Sequence, residues 1–220
     1  MDQPETVVEY TINALREAIR EGRLAQGQRL VVADITKRFG VSNGPVREAI
    51  RRLTGEGLVE IVPHRGATVR EFGREDLIEI YQVREVLEGL AAGLAAKRID
   101  VGDHRKRFEA VMTGVAEEGG RAYIEHNHAF HELIYEMAGN RRVREQAQQL
   151  VLPIYRQRLH NLMNPEQARP SAAEHRRIAA AILAGDAAKA EAEMRKHIRN
   201  SGKAILEAIE APQTAERRRA

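Results

Sequence analysis

Three histidines fall on the apolar faces of three separate predicted helices: His131, His175 and His197. Asn127 precedes the first of them by four residues, so the two side chains share one helix face and can chelate one ion. A histidine alone on an apolar face is usually a buried core residue. Three of them in one bundle, beside an amide oxygen, are less easily explained as core residues, so a metal site is a second interpretation.

Three nitrogen ligands and an open position also describe a hydrolytic zinc centre. The segment His131-Glu132-Leu133-Ile134-Tyr135 begins like the zinc-protease motif His-Glu-x-x-His but ends in tyrosine. His126 and His128 have the spacing of a hydrolase His-x-His motif, although they lie in helical sequence. The sequence offers no well-placed general base, which argues against hydrolysis. Metal-dependent hydrolysis is therefore the alternative, and a binding site is the main interpretation.

A different set of polar residues, nearer the start of the chain, suits nucleic acid. Ser42, Asn43 and Gly44 begin a short predicted helix, whose exposed N–H groups can bind a phosphate oxygen. Arg47 and Arg51 continue its polar face. Arg47 can bind guanine through two hydrogen bonds or grip phosphate, and Asn43 suits adenine.

That helix belongs to a predicted order of helix, helix, tight turn, helix and hairpin within residues 1–73. Val46, Ile50 and Leu53 form its inner face. Two short β-branched runs then flank a turn at His64-Arg65-Gly66, which would be the wing of a winged helix-turn-helix. Such a fold inserts its recognition helix into the major groove, but winged folds also serve protein contacts. The pattern alone therefore leaves both kinds of partner open.

Residues 74–211 have the long apolar repeats of an antiparallel all-helical bundle, so the chain is mainly α, and a polar, flexible tail is expected at 212–220. The first bundle helix is predicted from about Asp76 to Lys97. Five of its residues are predicted to face inward: Leu77, Ile80, Leu87, Leu90 and Leu94.

Glycine, proline and capping residues divide the rest of the bundle into further helices. The predicted ranges are about 103–118, 122–137 and 143–162. Pro153 is expected to kink the last of these. A loop is expected at Asn164-Pro165, and Asp186 is expected to cap the final helix.

The composition narrows the class of protein. The net charge of +3 is weak evidence for a polyanionic partner. The chain has no cysteine, which excludes disulfides and thiolate zinc sites. No apolar run approaches the roughly 20 residues of a membrane span, and the first residues lack the order of a signal peptide. We therefore expect a cytoplasmic protein.

Four segments of the first 73 residues together form a specific sequence pattern. The longest is Gly40-Val41-Ser42-Asn43-Gly44-Pro45-Val46-Arg47-Glu48-Ala49-Ile50, and the others are residues 27–30, 56–59 and 65–67. This pattern resembles the GntR superfamily of bacterial regulators. That family usually has Val-Ser-Arg-Thr-Pro-Val-Arg, whereas this chain has Asn43 and Gly44 in place of Arg-Thr. The difference affects which operator sequence is expected and not the expectation of DNA binding. The resemblance implies a homodimer that binds a short palindromic operator in double-stranded DNA.

Three segments of the bundle carry a second resemblance: Asn127-His128-Ala129-Phe130-His131, Glu174-His175-Arg176-Arg177-Ile178 and Met194-Arg195-Lys196-His197. They are similar to the FadR-like branch of the superfamily, whose C-terminal FCD domain is an antiparallel helical bundle. Many members hold a divalent metal through one aspartate and three histidines. The implied ligands are Asn127, His131, His175 and His197, and the implied ion is zinc or nickel. With asparagine in place of aspartate, the protein supplies no anionic ligand.

The resemblance also implies an effector site. The family commonly has an arginine facing the pocket at the position of Arg84, and a guanidinium matches a carboxylate. The alternative is a surface arginine paired with Glu88 one turn later. A small carboxylate effector would then contact the following residues: Arg84, Asn127, His131, His175 and His197.

We therefore expect a regulator, in this family most often a repressor, rather than an enzyme. Metal and carboxylate would bind between the helices and shift the angle between the DNA-reading domains. Operator affinity would change by the effector's differential affinity for the two states. A DNA-binding protein without any ligand is a third interpretation, and it predicts no stabilisation by small molecules.

Overall fold

The computed structural model describes residues 5–113, 119–151 and 164–217. The contacts divide the chain into two units, Met1–Gly73 and Arg74–Ala220. The described residues form nine helices and one two-stranded sheet. None of the helices in these ranges is long and apolar enough to cross a membrane.

The first unit begins with three helices: α1 (Val7–Arg20), α2 (Val32–Phe39) and α3 (Asn43–Gly55). A capping box starts α1, in which the Thr6 N–H donates to the Glu9 carboxylate at 2.9 Å and the Glu9 N–H donates to the Thr6 hydroxyl at 3.2 Å. Gly40 ends α2 with a φ of 67°, a left-handed conformation that glycine adopts without strain. The residues predicted to form the inner face of α3 are buried: Val46, Ile50 and Leu53.

A β-hairpin completes the first unit. Strand β1 (Val59–Val62) pairs antiparallel with β2 (Gly66–Val69). The segment before α2 lies against the other edge of β2, where the Leu30 N–H donates to the Ala67 carbonyl at 2.8 Å. This added pairing was not predicted, since so short a segment has no alternating pattern to reveal it.

The second unit is an all-helical bundle. Its helices are α4 (Arg74–Lys97), α5 (His104–Met112), α6 (Gly120–Ala138), α7 (Arg141–Val151), α8 (Pro165–Leu183) and α9 (Ala187–Arg217). Helix α4 packs against α6, α7, α8 and α9. Side chains on the inner face of α4 therefore meet those of the helices that carry the predicted metal ligands.

Glycines let α4 and α9 approach closely. A Cβ on Gly89 would lie 2.6 Å from Cγ of Arg195, and one on Gly202 would lie 2.8 Å from Cγ of Tyr81. Gly93 lies in the same contact, which we call the glycine seam. Since native Cβ atoms do not approach other atoms as closely as 2.6–2.8 Å, Gly89 and Gly202 limit the residues that this helix separation allows, and Gly93 adds a tight contact of 3.2 Å.

The buried face of α4 differs from the predicted one. Leu77 is fully buried, but Leu90 is 39% exposed, and Val83 and Val86 are each 50% exposed. The inner face instead carries polar and small residues, including Arg84 and Glu88. Aliphatic residues occur on both faces of this helix, so its apolar period could not identify the buried one.

Two predicted boundaries in the bundle were wrong. Helix α5 ends at Met112 rather than near residue 118, and the Thr113 hydroxyl donates to the Ala110 carbonyl at 2.7 Å just beyond its end. Asn164 and Pro165 begin helix α8 instead of forming a loop. The Asn164 side chain accepts from the Glu166 N–H at 2.9 Å, and proline fits the first helical turn because it needs no N–H partner there.

The last helix behaves differently at its two ends. Asp186 caps α9 as predicted, accepting from the Lys189 N–H at 3.0 Å. The helix then continues to Arg217, past the tail expected from residue 212, because the residues after Pro212 include good helix formers. The predicted kink at Pro153 and the end of its helix lie outside the described residues.

Candidate metal centre and DNA-reading surface

Three histidines meet in the core of the second unit: His131 on α6, His175 on α8 and His197 on α9. One ring nitrogen of each lies within 4.8 Å of those of the other two. The three residues are buried, with 6%, 0% and 1% of their surface exposed. Zinc–nitrogen bonds are about 2.0–2.1 Å long, so the three rings would have to move closer together for all three nitrogens to bind one ion.

Asn127, the fourth predicted ligand, lies one helical turn before His131 and is buried. It lines a pocket of about 280 Å³ between helices of the bundle. Most of the residues that line this pocket have polar side chains, including Tyr81, Gln167, Ser171, Asn200 and Ser201. A cavity of this size and polarity suits a small hydrophilic molecule rather than a long acyl chain.

A buried carboxylate holds His131. Oε2 of Glu88 lies 2.7 Å from Nδ1 of His131. Its Oε1 accepts from Nε and Nη2 of Arg84 at 3.0 and 2.7 Å. Burial alone would lower the pKa of Arg84, but the charge of Glu88 outweighs it and raises the pKa, so the guanidinium stays protonated.

The position of Arg84 agrees in part with each of the two predictions, an effector contact and a surface ion pair with Glu88. It pairs with Glu88, as the alternative stated, but its side chain is 1% exposed rather than on the surface. Its Nη1 is buried and has no hydrogen-bond partner among residues 5–113, 119–151 and 164–217. Arg84 does not line the pocket beside Asn127, so its Nη1 lies buried behind the pocket wall.

A second carboxylate holds His197. Nδ1 of His197 lies 2.8 Å from Oε2 of Glu174, and the Asn200 amide donates to Oε1 of Glu174 at 2.5 Å. Burial alone would raise the pKa of Glu174, but the hydrogen bonds from His197 and Asn200 outweigh it and lower the pKa. Glu174 is therefore ionised at neutral pH.

Aromatic packing positions His175. Its ring stacks on Phe130, with the two centroids 4.2 Å apart, and lies 6.0 Å from the ring of His126. Burial lowers the pKa of His126, which keeps that ring neutral. Ring contacts therefore position His175, whereas His131 and His197 each lie beside a carboxylate.

Sequence reasoning missed the roles of Glu88, Glu174 and His126. Glu88 was considered only as a surface partner of Arg84, and Glu174 only as part of a motif. The contacts that define their roles join different helices, which local periodicity does not report. The available signals were a carboxylate directly before His175 in the chain and another one turn after Arg84.

The first unit presents the predicted DNA-binding residues on its surface. All eight are exposed: Ser42, Asn43, Gly44, Arg47, Arg51, His64, Arg65 and Gly66. A groove of about 500 Å³ between α3 and the hairpin brings together Arg47, Arg51 and Arg65. Arg29 also lines it, carried there by the pairing of its segment with β2. Sequence reasoning did not single out this fourth arginine.

The residues of α3 differ in how strongly the protein holds them. Glu48 binds Arg51 through two hydrogen bonds of 2.9 and 2.6 Å, which raise the pKa of Arg51. No hydrogen bond or ion pair of the Arg47 guanidinium is found within the described parts of the chain. Ser42 occupies the N-cap position, but its side chain makes no capping hydrogen bond with the described residues. Arg47 and Ser42 can therefore contact a partner without first breaking an internal bond.

Comparison with known proteins identifies both units. Residues 8–69 match the bacterial regulatory proteins of the gntR family, and residues 79–200 match the FCD domain. The chain belongs to the GntR family. Its mainly helical architecture, with a hairpin after the helix-turn-helix and a C-terminal helical FCD domain, is that of GntR regulators.

Individual relatives support the assignment of this chain to the GntR family. It is 33% identical over 184 residues to the probable D-xylose utilization operon transcriptional repressor of Paenarthrobacter nicotinovorans, covering 82% of this chain and 80% of the relative. It is 27% identical to the HTH-type transcriptional regulator McbR of Escherichia coli, covering 79% and 81%. The solved structure of E. coli McbR/YncC matches with a TM-score of 0.74 at 26% identity, covering 92% of this chain and 98% of that one.

These matches decide between the functional classes left open by the sequence. The family and its relatives are transcription regulators, so this GntR regulator is a DNA-binding transcriptional regulator and not an enzyme. The prediction of a regulator is confirmed, and the metal-dependent hydrolase alternative is set aside.

Proposed function

We propose that this regulator is a repressor whose operator affinity is controlled by a small carboxylate bound beside a divalent metal ion. The observation that carries the proposal is the buried meeting of His131, His175 and His197 next to a polar pocket. Three converging imidazoles in a core need either a cation or hydrogen-bond partners. Two of them already have carboxylates on Nδ1, which leaves Nε2 for an ion.

The residues present fit zinc or nickel held by Asn127, His131, His175 and His197, because imidazole and amide donors suit borderline cations. When bound, the ion would act as a Lewis acid toward an anionic oxygen. All four protein ligands are neutral, so an effector carboxylate would add the anionic ligand. Nη1 of Arg84 is the proposed second contact for that acid, which requires the pocket wall to move.

The operator would be read by a homodimer. The supporting feature is the outer face of α4, where Val83, Val86 and Leu90 are exposed at helical spacing. A second copy of the chain packed on this face would bury these aliphatic side chains. Two-fold symmetry would then match a palindrome whose half-sites lie about one helical turn apart or less.

Within each half-site, Arg47 is the proposed base-reading residue, supported by phosphate contacts from the start of α3 and from the wing. Replacing Arg47 by alanine is expected to weaken operator binding about 5- to 150-fold, equivalent to about 1–3 kcal/mol. Fluorescence anisotropy at fixed salt, on a duplex that the wild-type protein selects from a random pool, measures the change.

Arg52 provides the matched control for this test. It lies on the same helix, its side chain is 63% exposed, and its Nε lies 3.7 Å from Oε1 of Glu48. It does not line the groove between α3 and the hairpin. Arg52→Ala should weaken binding far less, and equally for specific and unrelated duplexes. Equal losses for the two variants would contradict base reading by Arg47.

A thermal-shift screen against small carboxylates, run before and after EDTA treatment, tests the metal-dependent sensor. Binding to the native state raises the melting temperature. We expect at least one acid to stabilise the untreated protein only. Stabilisation that survives EDTA would mean that the acid is gripped without metal. The absence of any shift would favour a DNA-binding protein that needs no ligand.

A further inference from the structure

We propose that Glu174 is the anion of this metal centre, acting from outside the ligand set. It fixes the ring of His197 and supplies the negative charge that Asn127 does not. This inference rests on the metal site proposed above and adds to it a positioning residue. Its support comes from three features: the contacts of Glu174, the contrast with Glu88, and the neutrality of the ligands.

The contacts of Glu174 determine which nitrogen of His197 is available. The Asn200 amide donates to Oε1 of Glu174, and Oε2 lies 2.8 Å from Nδ1 of His197, so a carboxylate that accepts at both oxygens places the proton of the neutral ring on Nδ1. The lone pair of the neutral ring then lies on Nε2, which is the tautomer a metal requires. Asn200 fixes the other carboxylate oxygen at 2.5 Å, so the acceptor is held from both sides. Carboxylates on the second nitrogen of metal-bound histidines orient the ring and raise its basicity.

Oε2 of Glu88 lies 2.7 Å from Nδ1 of His131, but Glu88 contributes differently to the charge. Both nitrogens of Arg84 that face it donate to Oε1, so the guanidinium cancels the carboxylate charge within 3.0 Å. Glu174 has a neutral partner in Asn200. The guanidinium of Arg177 lies 3.9 Å from Oε1 of Glu174, on a side chain that is 47% exposed to solvent. Glu88 therefore orients a ring without adding charge, whereas Glu174 does both.

Charge matters here because the proposed ligands are neutral. Bringing a dication into a buried site costs several kcal/mol unless negative charge lies nearby. One amide and three imidazoles provide none, and Glu174 is one imidazole away from the cation position. At the low effective dielectric of a core this separation still gives substantial attraction. Glu174 is thus the residue that lets the asparagine-containing site bind a metal.

The variant Glu174→Gln tests the charge alone, since glutamine keeps an oxygen that can accept from Nδ1 of His197. Calorimetric titration of the metal-free full-length protein with Zn²⁺ and with Ni²⁺ should show affinity about 10- to 100-fold weaker than wild type. The control is Glu136→Gln on α6, which removes an ion pair with Arg107 on the surface. That variant should bind both ions like wild type. Circular dichroism establishes that each variant is folded.

The protonated nitrogen of His197 gives a second readout that needs no metal. NMR spectra of the imidazole nitrogens should show Nδ1–H alone in wild type and a mixture of tautomers in Glu174→Ala, with His197→Gln assigning the signal. A merely structural Glu174 would lower stability in both variants and leave metal affinity and tautomer unchanged, which overturns the inference. If wild type binds neither ion, the proposed metal site fails, and the wild-type tautomer then decides whether Glu174 orients the ring.

Discussion

Replacing Arg84 by methionine is expected to lower the free energy of unfolding by about 3–5 kcal/mol. Arg84 and Glu88 are 1% and 0% exposed, so methionine would leave a buried carboxylate without its guanidinium. Glu88 would keep its contact with His131, which cannot replace both hydrogen bonds from Arg84. Urea unfolding followed by far-ultraviolet circular dichroism measures the loss.

The ion pair of Arg107 and Glu136 is the matched control for this prediction. It also has two hydrogen bonds, at 2.7 and 2.8 Å, here one to each carboxylate oxygen, but its side chains are 39% and 45% exposed. Arg107→Met should therefore cost only about 0–1 kcal/mol. The double variant Arg84→Met with Glu88→Leu should recover part of the loss, since it removes both buried charges. Similar losses for Arg84→Met and Arg107→Met would show that the buried pair is not a stabilising unit.

Replacing His197 by alanine should abolish the metal-dependent response to the effector and leave operator binding without effector unchanged. The variant removes one of the three nitrogens that meet within 4.8 Å, and the DNA-reading residues all lie in the other unit. Changes to residues behind a metal ligand already cost about 10- to 100-fold in affinity, so loss of a ligand itself should cost more. The measurement is operator affinity with and without the acid found in the thermal-shift screen.

His128 supplies the control for the histidine variant. It is exposed on α6, next in sequence to Asn127, and contributes nothing to the cluster. His128→Ala should respond to the effector like wild type, while His131→Ala should behave like His197→Ala. A normal response in both cluster variants would remove the metal from the sensing mechanism and leave the pocket as the only contact for the acid.

The helix-turn-helix could be predicted in detail because its signals are local. Val46, Ile50 and Leu53 fix the buried face of one short helix, and Gly40 supplies the left-handed residue that ends the helix before it. The three cluster histidines were identified for the same reason, since each lies on one turn with aliphatic neighbours. A local pattern is sufficient where one helix face is uniformly apolar.

The surroundings of the cluster could not be predicted in this way. Arg84 and Glu88 form a spacing that is equally common on helix surfaces, and only the packing of α4 among its neighbours buries them. Glu174 contacts His197 and Asn200 on α9, which lie 23 and 26 residues later in the chain. Leu90 was predicted to face inward because the apolar period of a helix does not distinguish a buried face from an exposed apolar one.

The glycine seam between α4 and α9 has an evolutionary consequence. Gly89 and Gly202 resist substitution, because an added Cβ would lie 2.6 and 2.8 Å from side-chain atoms of the facing helix, and Gly93 leaves only slightly more room at 3.2 Å. Pocket residues such as Gln167 and Ser201 carry no such restriction and can vary one at a time. Gene copies that diverge can therefore change the molecule they detect while inheriting the frame unaltered, and new specificities should arise first in the pocket wall.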